Sequence, residues 1–215
     1  MFIYIKYMYL HQETCFRVGF VWLYMVKLHI LWKSSIYIVK IEETGDKMAE
    51  KNMDIVEETA RKWLNQRGVT IQDIAELVFY LQEKYHENLQ MEDCIQNVER
   101  VLSKREVQNA IITGIQLDML GEKKMLEEPL QTIIATDESL YGVDEILAFS
   151  IVNVYGSIGF TNYGYIDKQK PGILARLNDK STGECHTFLD DIVGAIAAAA
   201  SSRLAHRAAG VNKDD

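Results

Sequence analysis

Residues 70–85 read TIQDIAELVFYLQEKY, and the spacing within this stretch decides the fold. Ile71, Ile74, Leu77, Val78 and Leu81 recur at helical intervals, which gathers them on one face and leaves amide and acidic side chains on the other. Thr70 stands where an N-cap belongs, and Gly68 closes a preceding helix predicted over 54–66. The same period continues in MEDCIQNVERVLSK (91–104), with Cys94, Ile95, Val98 and Val101 as its apolar stripe. It continues again in REVQNAIITGIQLDML (105–120), through Val107, Ala110, Ile111 and Gly114. Pro129 suits the first turn of a further helix, and Pro171 with Gly172 ends the segment before it. Period-2 alternation is scarce after Met48 and hairpin turn signals are nearly missing. The chain is therefore predicted to be all-α, a multi-helical bundle of amphipathic helices.

The chain has 215 residues, 48% of them hydrophobic, enough for one domain with a sizeable core plus a short appendage. A formal net charge of -8 excludes nucleic acid as the main partner, because phosphate backbones need a basic face that releases counterions. Cys15, Cys94 and Cys185 are widely spaced and odd in number, so neither a disulfide framework nor a paired-cysteine metal site is implied. A reducing cytoplasm fits that usage.

The composition changes abruptly near Met48. Residues 1–47 hold about half of all the aromatics and carry a net charge of +2, whereas the remainder carries -10. The most apolar part, Val18 to Trp32, is shorter than the roughly 20 residues of a spanning helix and is interrupted by Lys27. No small-residue cleavage site follows it, as a secretory signal would require. Two explanations stand: Met48 is the true start and the residues before it translate upstream DNA, or 1–47 is a membrane-associating segment. The Ile, Tyr, Lys and Phe bias favours the first. The expected organisation is an apolar N-terminal extension over 1–47, outside the native protein, and a helical domain over 48–215.

Several motifs suggest chemistry without supporting it. CIQNVER (94–100) has the Cys-x5-Arg spacing of cysteine phosphatases, but it lacks the glycines of an inward-turned phosphate loop and lies on an amphipathic helix. Adjacent Cys185 and His186 in ECHTFLDD lack the spacing of a zinc site. No Gly-rich phosphate loop or nucleophile elbow occurs.

What remains is acidic and concentrated in the last third: Asp144 and Glu145 in YGVDEILAFS, Asp167 near Lys168 and Lys170 in GYIDKQKPGIL, and Asp190 with Asp191 in TFLDDIVGAIAAAASS. Carboxylates brought together from several helices can hold Mg2+, which takes oxygen ligands together with water and substrate phosphate. Each is also explained by structure alone. Asp144 and Asp190 sit where helix caps belong, and Asp167 with Lys170 is an ordinary surface pair. Gly194, Ala198 and Ser201 would let a neighbouring helix approach closely, carrying Asp144 and Glu145 toward the aspartate pair.

In that order and spacing the three segments resemble the phosphatidylglycerophosphatase A family, specifically its soluble branch, over most of Met48 to Arg207. The resemblance implies a helical fold and a magnesium-dependent phosphatase that converts phosphatidylglycerophosphate to phosphatidylglycerol. It carries the family's acidic pair onto Asp144 and Glu145, its Asp with Lys-Pro onto Asp167, Lys170 and Pro171, and its Asp-Asp pair onto Asp190 and Asp191. On this reading Asp144, Glu145, Asp167, Asp190 and Asp191 are the metal ligands and, with Lys170, the catalytic set. Mg2+ is the cofactor, and an anionic phospholipid at the inner face of the membrane is the partner of a cytoplasmic, peripheral protein. Homo-oligomerisation is left open. Two other functions use the same sequence: a Mg2+-dependent hydrolase of soluble phosphomonoesters or nucleotides, and a noncatalytic helical interaction protein.

Overall fold

The computed structural model describes residues 55–208; the expectations for residues 1–47 lie outside that range. Within it the chain is all-α, with no strand among the described residues. The helices are α1 (55–66), α2 (Ile71–Gln82), α3 (Met91–Leu102), α4 (Arg105–Glu122), α5 (Leu130–Thr136), α6 (Val143–Val152), α7 (Gly156–Gln169), α8 (Ile173–Leu177) and α9 (Leu189–Ala208). Short 3-10 turns at Asn153–Tyr155 and Lys180–Thr182 lie between α6 and α7 and between α8 and α9.

The local signals act where the sequence places them. Thr70 caps α2 reciprocally with Asp73: the Asp73 N–H donates to Thr70 Oγ1 at 3.1 Å and the Thr70 N–H to Asp73 Oδ2 at 2.7 Å. Gly68 ends α1 in the left-handed region at φ +71°. Pro129 is the N-cap of α5. α7 stops at Gln169, because Lys170 turns to φ +45° ahead of Pro171.

α9 is the axis of the bundle. α2, α3, α4, α6, α7 and α8 all pack on it, and every residue from Leu189 to Ser202 except Asp190 is buried. A helix apolar all round belongs inside a domain, and its run of small side chains lets so many neighbours share one axis. The closest approach is not at Gly194, where an added Cβ would meet Ile166 and Tyr163 at an ordinary 3.7 Å. It is at Gly114 on α4, where a Cβ would collide with Ile192 Cδ1 and lie 2.9 Å from Phe188 Cβ. Gly194 thus packs its neighbours at ordinary contact distance without setting the tightest crossing of α9. α9 touches neighbours on all sides, so its small residues serve several helices and the sterically demanding crossing falls to the one with a glycine facing it.

Cys94 lies buried on the inner face of α3 while Arg100 is exposed, so the Cys-x5-Arg spacing builds no phosphate loop. Burial, with Asp93 nearby, pushes the Cys94 thiol up to about 11, far from a reactive thiolate.

Candidate active site

Asp190 and Asp191 stand in the first turn of α9, at the end of the bundle where α7 finishes. The left-handed backbone at Lys170 turns the chain out of α7 and sends its side chain back over them. Lys170 Nζ lies 2.7 Å from Asp167 Oδ1, 2.7 Å from Asp190 Oδ2 and 3.8 Å from Asp191 Oδ1. Three carboxylates, one from α7 and two from α9, thus converge on a single cation. Asp167 is 42% exposed along its side chain, while Asp190 and Asp191 retain only 12% and 9%.

Electrostatics follow from that burial. Desolvation and the neighbouring Asp190 charge push Asp191 up to about 8, against a partial pull downward from Lys170, with Asp167 and Asp144 adding further negative charge. Asp190 is raised as well, by burial first and by Asp137, against the opposing effect of Lys170. Burial lowers the Lys170 ammonium, but the charges and hydrogen bonds of Asp190 and Asp167 outweigh it and hold its pKa well above the ordinary value. Beneath the cluster lies the buried Tyr163 hydroxyl, whose ionisation burial and then the Asp191 and Asp167 charges suppress.

The remaining sequence-selected residues are placed less uniformly. Asp144, in the first turn of α6, is buried and accepts the Glu145 N–H at 2.9 Å. Its carboxyl is raised by burial and by the Glu145 and Asp137 charges, and it contributes to the field at Asp191. Glu145 is exposed on the outer side of the same turn. The structure therefore joins Asp167, Lys170, Asp190 and Asp191 directly, holds Asp144 within electrostatic reach, and leaves Glu145 at the rim.

Two acidic neighbours were not singled out in the sequence. Asp137, the left-handed C-cap of α5, pairs with Lys180 at 2.9 Å and contributes negative charge at both Asp190 and Asp144. Asp118, fully buried on α4, accepts the N–H groups of Phe188 and Leu189. The signal that could have found Asp118 is an aspartate interrupting the apolar stripe of α4 one turn after Gly114. Cys185 and His186 are loop residues, as their spacing implied. Arg67 donates to His186 Nδ1 at 3.1 Å, so the proton sits on Nε2, which reaches Glu184 at 3.1 Å. Burial and the Arg67 charge lower the imidazole pKa. Beside Asp190 opens a cavity of about 370 Å³ whose rim includes Lys124, Gln131, Asp137, Asn178 and Lys180.

A helical bundle around an alanine-rich axis, with buried carboxylates gathered at the N-terminus of that axis, defines an all-α protein with an oxygen-lined acidic site. The chain belongs to the phosphatidylglycerophosphatase A family, whose model matches residues 61–206 and so takes in all six sequence-selected residues. Over 153 residues it is 74% identical to the Bacillus subtilis (strain 168) "Uncharacterized protein YutG", covering 71% of this chain and 92% of that protein. A protein of unknown function from Bacillus stearothermophilus has a similar structure, with TM-score 0.70 and 79% identity over 71% of this chain and 94% of that one. The low temperature requirement C protein from Listeria monocytogenes matches with TM-score 0.71 and 69% identity, over 72% of this chain and 97% of its own.

Proposed function

We propose that this chain is a Mg2+-dependent phosphatase acting on phosphatidylglycerophosphate, working as a cytoplasmic protein held peripherally at the inner face of the membrane. The observation that carries the reading is the convergence of Asp167, Asp190 and Asp191 on one cationic point. Buried carboxylates crowded to this degree favour a counter-cation, and an all-oxygen donor set suits Mg2+. Among the described residues no three His, Cys, Asp or Glu side chains stand ready around an open metal position, since the Lys170 ammonium lies between them. Asp144, Asp167, Asp190 and Asp191 would hold the ion with Lys170 drawn aside, and Glu145 would join from the rim. When bound, Mg2+ polarises the phosphoryl group and acidifies water.

The chain's own residues supply the rest. Lys170, released toward solvent on its left-handed hinge, meets the phosphoryl oxygens and offsets their growing charge. The buried Tyr163 ring and the apolar start of α9 exclude bulk water beneath the reacting group, which strengthens every charge interaction above it. Asp190 and Asp191, rooted in the central helix, are held rigidly enough to orient a bound phosphate.

Support for a lipid substrate comes from the apolar surface beside the site. No charged residue occurs between Ile146 and Ile166, and Ile146, Val154, Ile158 and Phe160 are exposed along that stretch, with Val143 exposed just ahead of it. The helical run Val143–Gln169 is long and apolar enough by length and composition to cross a membrane, with only 22% of its most apolar window buried. Here it is broken by the turn at Asn153–Tyr155 and serves better as a surface that meets lipid. A second reading, hydrolysis of a soluble phosphomonoester, is favoured by the cavity beside Asp190, whose lining includes Lys124, Gln131, Asn178 and Lys180. Phosphate release from purified protein separates the two, with phosphatidylglycerophosphate in mixed micelles and glycerol phosphate in solution, each with Mg2+ or with EDTA. Mg2+-dependent release from the micelles at a much higher rate is expected. Preference for the soluble ester would transfer the assignment to the second reading, and no release from either would overturn both.

A further inference from the structure

A helix that begins inside a protein exposes N–H groups that need acceptors. The residues leading into α9, 185–188, include Thr187 as a local cap candidate; its hydroxyl donates to the Ile134 carbonyl at 2.7 Å, while the Phe188 and Leu189 N–H groups go to another acceptor. The acceptor comes from 70 residues away. Asp118 Oδ1 takes the Phe188 N–H at 3.1 Å, and Oδ2 takes the Leu189 N–H at 3.0 Å.

Asp118 is the middle member of a stripe on α4, with Gly114 one turn before it and Glu122 one turn after. Gly114 admits Ile192 and Phe188, which any side chain there would displace. Glu122 accepts the Cys185 N–H at 2.8 Å and pairs with Arg67 at 2.6 Å, while Arg67 also donates to the Cys185 carbonyl at 2.6 Å. The Cys185 thiol closes the same knot by donating to the Ile134 carbonyl at 3.2 Å. Four backbone groups just ahead of Asp190 and Asp191 are thereby tied to neighbouring elements, chiefly α4.

We propose that Asp118 is a positioning residue for the acidic site: from the centre of α4 it holds the Phe188–Leu189 backbone and so sets the direction in which Asp190 and Asp191 leave the first turn of α9. This rests on the metal-dependent phosphatase reading. Asp118 is 0% exposed, so it acts through the groups packed on it: the Phe188–Leu189 backbone above all, with the Cys185 thiol 3.8 Å from Oδ1. An amide in its place keeps one acceptor oxygen, which at the Oδ2 position still reaches the Leu189 and Phe188 N–H groups at 3.0 and 3.3 Å but sets an NH2 against the Phe188 N–H, so it holds the tether in part, whereas an isosteric leucine leaves both groups orphaned.

The test compares the full chain with Asp118→Asn, Asp118→Leu and Glu122→Ala, below the lowest melting temperature of the four. Three readouts are taken: Mn2+ affinity by electron paramagnetic resonance, kcat and KM on phosphatidylglycerophosphate micelles, and iodoacetamide labelling of Cys185 followed by peptide mass, with buried Cys94 as internal control. Asp118→Leu should weaken Mn2+ binding and lower kcat by about 10–100-fold, as loss of outer supports does, with KM nearly unchanged and faster Cys185 labelling. Asp118→Asn should fall between the wild type and Asp118→Leu in all three, since its one carbonyl oxygen keeps part of the cap while its NH2 cannot accept from Phe188. A folded Asp118→Leu with wild-type Mn2+ affinity and kcat overturns the proposal, as does an Asn variant as impaired as the Leu one. If Asp118→Leu does not fold, Glu122→Ala carries the test: the same changes on a smaller scale uphold the proposal, and wild-type values overturn it. If the wild type neither binds Mn2+ nor releases phosphate, the phosphatase reading fails by itself. The tether is then judged on Cys185: faster labelling in the variants upholds it, and unchanged protection overturns it.

Discussion

Replacing Asp191 by asparagine should make the metal-free protein more stable near neutral pH while removing its response to Mg2+. The reason is the position of Asp191 under Lys170 and beside Asp190, where burial and the neighbouring negative charge move its pKa from the ordinary 3.8 to about 8. A carboxyl raised in the folded state contributes stability that is fully present below the unfolded value and is lost as pH climbs through the folded one. Between about pH 4 and pH 8 each unit therefore removes up to about 1.4 kcal/mol, which reaches roughly 4 kcal/mol at pH 7 as an upper limit, because Lys170 and Asp190 share the titration. Asparagine carries no charge and escapes that cost, but its amide must find new partners and Lys170 loses a counter-charge. A net stabilisation of about 1–3 kcal/mol remains, or about 3–8 °C in Tm for a domain of this size. The assay is thermal melting of both proteins in EDTA from pH 4 to pH 8, read as the difference between them, so that other titrating groups cancel. The variant should melt below the wild type near pH 4, the curves should cross as pH rises, and the variant should lie above by pH 7–8; Mg2+ at pH 8 should raise Tm for the wild type alone. A variant that melts at or below the wild type across pH 7–8, or a difference that does not change with pH, would refute the reasoning.

Lys170→Ala removes the cation that Asp167, Asp190 and Asp191 share, and should cost about 3 kcal/mol at pH 8 in EDTA, much less at pH 5, where Asp191 has taken up its proton, and little once Mg2+ is present. Denaturant melts under those three conditions check it, with turnover expected to fall in every one. Ile146→Ser, on the exposed apolar turn next to Asp144, should lower turnover on micellar substrate by about tenfold through lost burial in lipid, with a much smaller effect on a water-soluble ester. Ile196→Ala, at the centre of α9 and 0% exposed, should destabilise the fold by about 2–5 kcal/mol in urea titration without altering metal affinity at temperatures where the protein stays folded.

What the sequence determined by itself is everything set by neighbours within a few residues. The helical period at Ile71 to Leu81, the Thr70 and Asp73 capping pair, the left-handed stop at Gly68 and the end of α7 before Pro171 all follow from local spacing and backbone preference, and the structure has them where the sequence puts them. The family was equally legible, because the order and spacing of its segments along the chain carry it. What only the tertiary structure decided is which of these groups meet. The alanine run from Ala195 reads as one more helix, yet it is the axis on which the others close, because small side chains permit many neighbours without naming any. Asp190 reads as a local cap, yet it faces Lys170, and the N–H groups at the start of α9 are taken largely by Asp118. Glu145 has the same local context as Asp144 but points outward. A carboxylate's partner is set by how helices distant in sequence pack, and no spacing along the chain encodes an acceptor that arrives from another helix.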